Sequence, residues 1–451
     1  MTSNRITKHL VVWSTVLIST VLLTVGCGNQ ANQLDHGWSL PVKVTDSIEN
    51  LAGGIRMHKF QNTIMGLQSL QGGSAKFFFL NRTNNSWFET PRMSAPTGYL
   101  WGWWALDLQS KRLLLPDGYV ENGQLVMRAL IGTIGENVGL RDAIEKKWIT
   151  DKKSLFGETG PNVRLNDLYL GVGAITGPNL YVAYCLDGET VTTHSEHGPF
   201  NNGVFHSTDS GETWQMERIS DFEATDPMVC KTKNCYYYFA TRGLGEGYGL
   251  WFSRNPVEGG PWENPGELTK TYATTYGRYA AVAEDDVIHA CWMDCRNDMR
   301  RFNVDGPNIE NDDIVYRHRK DSDLGWSKEI KLSEGLLYSY PPSMSVEGKD
   351  IVVAWAGIRS AGKHHNEYDP NDIYYVTSKD GGETWTKPFM VTDRAKEGIT
   401  SGKPQVMLLN GVVHLFYIQG ALEKPKQISP GLTKLQQGPW PIYYQRRPFP
   451  N

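Results

Sequence analysis

The chain reads as an all-β protein assembled from repeated four-stranded units, and three observations predict it. The first is a near-duplication: residues 207–214 read STDSGETW and residues 378–385 read SKDGGETW. The second is an interval. A worn copy, KDSDLGW, carries Asp323, which lies 57 residues before Asp380 and 114 after Asp209, twice that interval. One unit is therefore due in the gap, and WFSRNPVEGGPW, with Ser253 and Trp262, supplies it in the same order of strand, turn and Trp. The third is a shared grammar. DIVVAWAGIR, DIYYVTS, a turn and WTKPFMVTD follow one another in one unit; VIHACWMDCR, DIVYRHR, a turn and WSKEIKLS do so in another. Short β-branched and aromatic runs between turn residues read as antiparallel strands. Four such strands in a repeated unit of about 40–60 residues make a blade of a β-propeller.

The elements follow in order from the N-terminus. Arg5 and Lys8 precede the apolar run LVVWSTVLISTVLLTVG, which ends at Cys27. A basic start, an apolar centre and small residues before a cut site predict a secretory signal. The run is short for a membrane span. LTVGC resembles the box of bacterial lipoproteins, which implies removal of residues 1–26 and a lipid on Cys27. Thr24 stands where that family has Leu, and Leu23 comes one place early. The polar GNQANQ then reads as part of a tether over residues 27–36, and residues 37–451 as a single propeller domain. This arrangement puts the body outside the cytoplasm, anchored to a membrane in the bacterial cell envelope.

The chain ends PIYYQRRPFP, which matches a third strand with no fourth after it. The missing strand is at the other end: GWSLPVKVTD, residues 37–46, parallels ETWTKPFMVTD, residues 383–393. The N-terminal strand is therefore expected to complete the last blade and remove an open edge. Fourth strands near Trp38, Trp87, Trp148, Trp214, Trp262, Trp326 and Trp385 count seven units. The Trp148 unit departs most from the pattern, so six blades with an insertion stands beside seven.

Composition bounds the function. The formal charge is −4 over 451 residues, which gives no basic face for nucleic acid. Five cysteines follow Cys27: Cys185, Cys230, Cys235, Cys291 and Cys295. Cys230 and Cys235 flank KTKN between two strands, and a bridge closing that hairpin is expected in an oxidising compartment. Cys291 and Cys295 lie four apart on one extended run, too far to bridge across a regular strand. No CxxC pair or His set has zinc-like spacing, so neither a metal nor a cofactor is expected.

The duplicated stretch, S-x-D-x-G-x-T-W, resembles the Asp box, or BNR repeat, of sialidases and their relatives. Two copies are clear and two are degraded, together covering the third to sixth units. The resemblance implies a propeller of the sialidase type. Ser207, Asp209, Gly211 and Trp214, and likewise Ser378, Asp380, Gly382 and Trp385, are then structural. The Asp accepts backbone N–H bonds, the Gly supplies a positive φ and the Trp packs between sheets. In the family this turn joins the third and fourth strands on the face opposite the active site.

Chemistry is accordingly sought at the other ends of the strands. First-strand entries carry Asp226 (ATDPMV), Arg278 with Tyr276 (TYGRYA), Tyr338 and Tyr340 (YSYPPS), and Lys403 (SGKPQV). Second-strand ends carry Arg242 (FATRG), Asp294 and Arg296 (WMDCRND), and Arg359 (WAGIRS), with His364 and His365 following. Guanidinium forks bind carboxylates bidentately. Sialidases hold the sialic-acid carboxylate with three arginines and use a Tyr–Glu pair as nucleophile and an Asp as acid/base, an exception among glycosidases. The resemblance implies substrate binding by Arg242, Arg278, Arg296 and Arg359. It implies catalytic roles for Tyr338 or Tyr340 and for Asp226 or Asp294.

Two departures weigh against activity. Where the family has an Arg-Ile-Pro-type motif, this chain has GGIRMHKF, with Arg56 followed by Met57 and His58. No Glu is placed to pair with a Tyr nucleophile. The aromatic run YLWGWW, residues 99–104, is read as packing between blades. Three readings stand: a sialidase-like hydrolase acting on glycans, a non-catalytic glycan- or protein-binding propeller lipoprotein, and a structural assembly factor.

Overall fold

The computed structural model describes residues 37–44, 55–60, 63–70, 74–81, 86–89, 93–94, 105–107, 112–121, 124–134, 140–150, 163–190, 201–243, 248–269, 279–294, 296, 313–334, 336, 338–339, 341–358, 370–421, 426–429, 432–434 and 441–450. The fold is all-β. Among the described residues the elements are strands, apart from one 3-10 turn at Ala395–Glu397.

The strands form successive antiparallel units of four, each following the order of the chain. Sheet 1 holds Ile55–Phe60, Thr63–Leu70, Ser74–Asn81 and Ser86–Glu89. Sheet 2 holds Ala105–Asp107, Arg112–Glu121, Gln124–Ile134 and Leu140–Thr150. Its last strand contains Trp148, so the least regular unit of the sequence still has four strands. Sheet 3 holds Val163–Thr176, Asn179–Thr190, Asn201–Ser207 and Gln215–Ser220. Sheet 4 holds Ala224–Lys231, Cys235–Gly243, Tyr248–Pro256 and Gly266–Glu267, and touches sheet 3 through one parallel pairing, Val172 with Met228. Sheet 5 holds Tyr279–Glu284, Val287–Asp294, Asp313–Lys320 and Ile330–Lys331. Sheet 6 holds Tyr338–Ser339 and Ser343–Glu347 end to end along Asp350–Ile358, then Asp372–Ser378 and Phe389–Met390.

Sheet 7 joins the two ends of the chain. Ile399–Leu409, Val412–Ala421 and Ile442–Pro448 are followed in space by Val42–Lys43, with Val42 opposite Tyr444 and Lys43 opposite Tyr443. The expected pairing of residues 37–46 with 441–447 is thus present. It is fixed on both sides of the strand. Ser39 donates its backbone N–H to Arg446, and Gln445 Nε2 donates to the Ser39 carbonyl at 2.8 Å. Trp38 is buried and meets the edge of Tyr375 in sheet 6, ring centres 5.3 Å apart.

The core lies between sheets. Ile131 and Leu114 of sheet 2 pack on Leu180 and Phe205 of sheet 3. Ala183 and Val204 pack on Tyr236 and Tyr238 of sheet 4, and Phe239 on Ile288 and Trp292 of sheet 5. Tyr316 and Met293 meet Val353 and Trp355 of sheet 6; Val352 and Ile373 meet Val406 and Leu415 of sheet 7; Phe416 meets Ile64 and Leu80 of sheet 1. Sheets 3 to 7 are each apolar on both faces because each is covered by the sheet before it and another after it. This explains continuous apolar runs such as Ile351–Ala356, buried throughout.

The expected Cys230–Cys235 bridge does not form: both thiols are free. Cys230 stands opposite Tyr237, not Cys235, across the hairpin. Hydrogen bonds close the turn instead. Thr232 Oγ1 accepts from the Cys235 N–H at 3.0 Å, while the Asp321 carboxylate accepts from Thr232 Oγ1, the Asn234 N–H and Tyr237 Oη. Cys185 and Cys291 are free and buried, and desolvation raises both thiols well above their ordinary range.

Candidate functional site

Register assigns each feature to one end of its sheet. In sheet 6, Ile351 pairs with Ser378 at one end and Gly357 with Asp372 at the other. In sheet 4, Cys235 pairs with Pro256 at one end and Arg242 with Gly249 at the other. The Asp boxes sit at the first kind of end, against the hairpin joining the first two strands: the Ser210 N–H donates to Pro178, and the Gly381 N–H to Lys349. Asp226, Arg242, Asp294, Arg296 and the backbone of Tyr338 lie toward the second kind of end.

The two boxes are built alike. Ser207 Oγ donates to Asp209 Oδ1 at 2.8 Å and accepts the Gly211 N–H at 2.7 Å. Asp209 accepts the Thr213 N–H at 2.9 Å and its hydroxyl at 2.6 Å. Trp214 Nε1 returns to the Gly211 carbonyl at 3.1 Å. In the second box Ser378 donates to Asp380 at 2.8 Å, Asp380 accepts the Thr384 N–H and hydroxyl, and Trp385 Nε1 donates to Gly382 at 3.0 Å. Hydrogen bonds from Thr213 and Thr384 lower the two carboxylic acids to about 2. The glycines are required on two counts: φ is 91° at Gly211 and 98° at Gly382, and a methyl group would strike Ile131 or Tyr316 of the preceding sheet. These bonds tie both carboxylates into their own turns.

At the other end the first strands break step. The register of sheet 4 shifts between Thr225 and Met228, and that of sheet 7 between Gly402 and Gln405. The extra residue is Asp226 in one and Lys403 in the other. Both precede a proline and both hold positive φ, 53° and 47°. A non-glycine in this region costs about 1–3 kcal/mol and persists only where the surroundings impose it. Bulges of this kind re-aim a side chain. Asp226 is braced by Thr225 Oγ1 at 3.0 Å, which also shares a hydrogen bond with Thr241 Oγ1 at 2.8 Å; Tyr279 Oη donates to the Asp226 carbonyl. Lys403 is solvent-exposed, yet desolvation lowers its pKa.

The arginines differ. Arg296 is committed within the protein: Nε donates to Asp294 Oδ1 at 2.7 Å, Nη2 to Asp294 Oδ2, and Nη1 to Glu329 at 3.0 Å. The Asp294 bonds hold its guanidinium above its ordinary pKa. Asp294 is buried and also accepts Trp292 Nε1 at 3.1 Å. Arg242 instead lies over two rings, its Cζ 4.5 Å from the centre of Phe222 and 4.7 Å from that of Trp251. Arg278, Arg359, Tyr340 and Cys27 lie outside the described residues, as does the side chain of Tyr338. Phe222, Trp251, Thr225 and Thr241 were not legible as site residues, because what places them is pairing across sheet 4. No group of three or more His, Cys, Asp or Glu among the described residues could hold a metal ion.

No protein-family model and no curated protein matches the chain. Solved structures do. A phage phi92 endosialidase is similar at 10% identity with a TM-score of 0.44, over 91% of this chain and 69% of that one. A Trypanosoma rangeli sialidase in complex with sialic acid is similar at 11% identity and 0.46, over 92% and 59%. A leech intramolecular trans-sialidase is similar at 11% and 0.40, over 89% and 69%. The chain thus spans well under the full length of these proteins. At such similarity none of them assigns a residue or an activity here.

Proposed function

We propose that the chain is a seven-bladed β-propeller of the sialidase type, completed by its N-terminal strand, that recognises the acidic sugars of glycans outside the cytoplasm. The observation that carries this reading is the contrast between the two ends of the sheets. At one end the Asp-box carboxylates are tied up in hydrogen bonds within their own turns. At the other, strained Asp226 and ring-cradled Arg242 stand on sheet 4 and Lys403, with its lowered pKa, on sheet 7. Cations in such a place favour a carboxylate ligand. On this reading Asp226 serves as acid/base, and Tyr338 or Tyr340 as nucleophile, with Arg242, Arg278 and Arg359 as substrate contacts. Residues 1–26 act as a lipoprotein-type signal, and a lipid on Cys27 holds the body to the envelope.

One observation favours the non-catalytic alternative, a glycan- or protein-binding propeller. Asp294 and Arg296 pair with each other, and Arg296 also with Glu329, which favours a structural part for both. One experiment separates the two. Residues 37–451 are incubated with fluorogenic sialosides and hexuronides and applied to a glycan array. Turnover supports the hydrolase; retention of acidic glycans without turnover supports the binder; retention of neutral glycans alone overturns the proposal.

A further inference from the structure

We infer that two seams of the molecule, sheet 5 on sheet 6 and sheet 7 on sheet 1, are acid-sensitive latches, each held by a buried His–Tyr pair that fits only while the imidazole is neutral. The two pairs are built alike. His289 stands third in Val287–Asp294 and His414 third in Val412–Ala421, the second strands of sheets 5 and 7. His289 Nδ1 shares a hydrogen bond with Tyr316 Oη at 2.6 Å, and His414 Nδ1 shares one with Tyr444 Oη at 2.8 Å. Each tyrosine is on the third strand, opposite the residue two places past the histidine: Tyr316 faces Cys291 and Tyr444 faces Phe416. The paired rings stack with centres 6.0 Å apart, at 27° in one pair and 20° in the other. A tryptophan of the next sheet then meets each tyrosine edge-on. Trp385 of sheet 6 lies 4.8 Å from Tyr316, and Trp87 of sheet 1 lies 5.2 Å from Tyr444, between ring centres.

Both histidines are buried, and their surroundings oppose a charge. The cross-strand neighbour of His289 is His318, and that of His414 is Arg446, so an imidazolium at either place would lie beside another base. At the first seam sheet 6 brings the carboxylates of Asp380 and Glu383, whose charges act on Tyr316. Asp380 is bound to Thr384 within its own turn, and Glu383 reaches His318 Nε2 at 3.4 Å. Glu284 of sheet 5 accepts the Gly348 N–H, and Lys349 meets the Asp-box turn through its carbonyl. At the second seam the described residues of sheet 1 packed on Phe416 and Tyr444 are Met57, Ile64, Leu80 and Trp87, none of which carries a charge. Burial, and His318 after it, lower the His289 pKa from 6.5 to about 3. A base whose pKa is lower folded than unfolded takes its proton first in the unfolded chain. What it contributes to folding is therefore whole above pH 6.5 and is lost as the pH falls from there toward 3.

Urea unfolding of the full chain at about pH 7 and about pH 4.5 tests the latches, because the Asp-box carboxylates take up protons chiefly below that range. Over it the folding constant of the parent should fall on the order of 100-fold more than that of His289→Asn. The Asn amide can replace Nδ1 as a partner of Tyr316 Oη but takes up no proton. His414→Asn should flatten the profile likewise, and the double variant should flatten it further. Amide hydrogen exchange of the parent is a second readout that holds even if a variant fails to fold. At about pH 4.5 protection factors should drop first in residues 314–318, 382–385 and 442–446, while residues 236–240, between sheets 3 and 4, keep theirs. A loss of stability as steep in both variants as in the parent overturns the proposal. A profile flattened by one variant alone overturns the latch at the other seam. Seam protection that is unchanged at about pH 4.5, or that falls no sooner than in residues 236–240, overturns both latches.

Discussion

At Gly382 the chain turns with φ at 98° directly beneath the Tyr316 hydroxyl, so sequence, turn and packing meet in one missing side chain. Gly382→Ala is expected to lower stability by about 3 kcal/mol, adding backbone strain to a clash against a neighbouring sheet. Urea unfolding checks it; an unchanged midpoint would refute the packing role. Asp209 and Asp380 act through hydrogen bonds rather than burial. Their folded pKa is depressed to about 2 from an ordinary 3.8, so what they contribute is present above pH 4 and fades as the pH falls toward 2. A protein with Asp380→Asn should show a shallower loss of melting temperature between pH 4 and 2 than the parent. Lys403 behaves in the opposite sense. Its left-handed φ and its desolvated ammonium both cost energy, and Lys403→Gly should raise stability by about 1 kcal/mol while weakening acidic-sugar binding.

At the scale of the strand, the N-terminal segment 37–44 is the element most exposed to test. Trp38 fills the space between sheets 6 and 7, and Arg447 lies over its ring at 5.9 Å. Trp38→Ala should cost about 3 kcal/mol, read by thermal or denaturant unfolding. This strand was legible because a third strand without a fourth at Ile442–Pro448 demands a partner, and GWSLPVKVTD repeats the missing phrase. The Asp boxes were legible because the side-chain bonds that shape them span four residues or fewer. Other features act over distances that local pattern does not carry. The Thr232–Asp321 bond joins positions 89 residues apart, and spacing alone suggested a disulfide there. Asp294 and Arg296 are two apart and visible together, whereas Glu329, 33 residues on, is what completes the pairing. The bulges at Asp226 and Lys403 show in sequence only as residues before proline; their positive φ follows from strand pairing.

At the scale of the molecule, sheets 2 to 7 stack in chain order, sheet 1 packs on sheet 7, and the ends of the chain share sheet 7. Register puts equivalent strand ends together, so the Asp-box turns gather at one end and Asp226, Arg242 and Lys403 lie toward the other. The central claim is that ligand is met at the second end. Amide hydrogen exchange of residues 37–451, with and without an acidic sugar, tests it most directly. The account predicts added protection in the segments around 222–226, 241–243 and 401–405, with residues 207–214 and 378–385 unchanged. Protection confined to those Asp-box turns would contradict it.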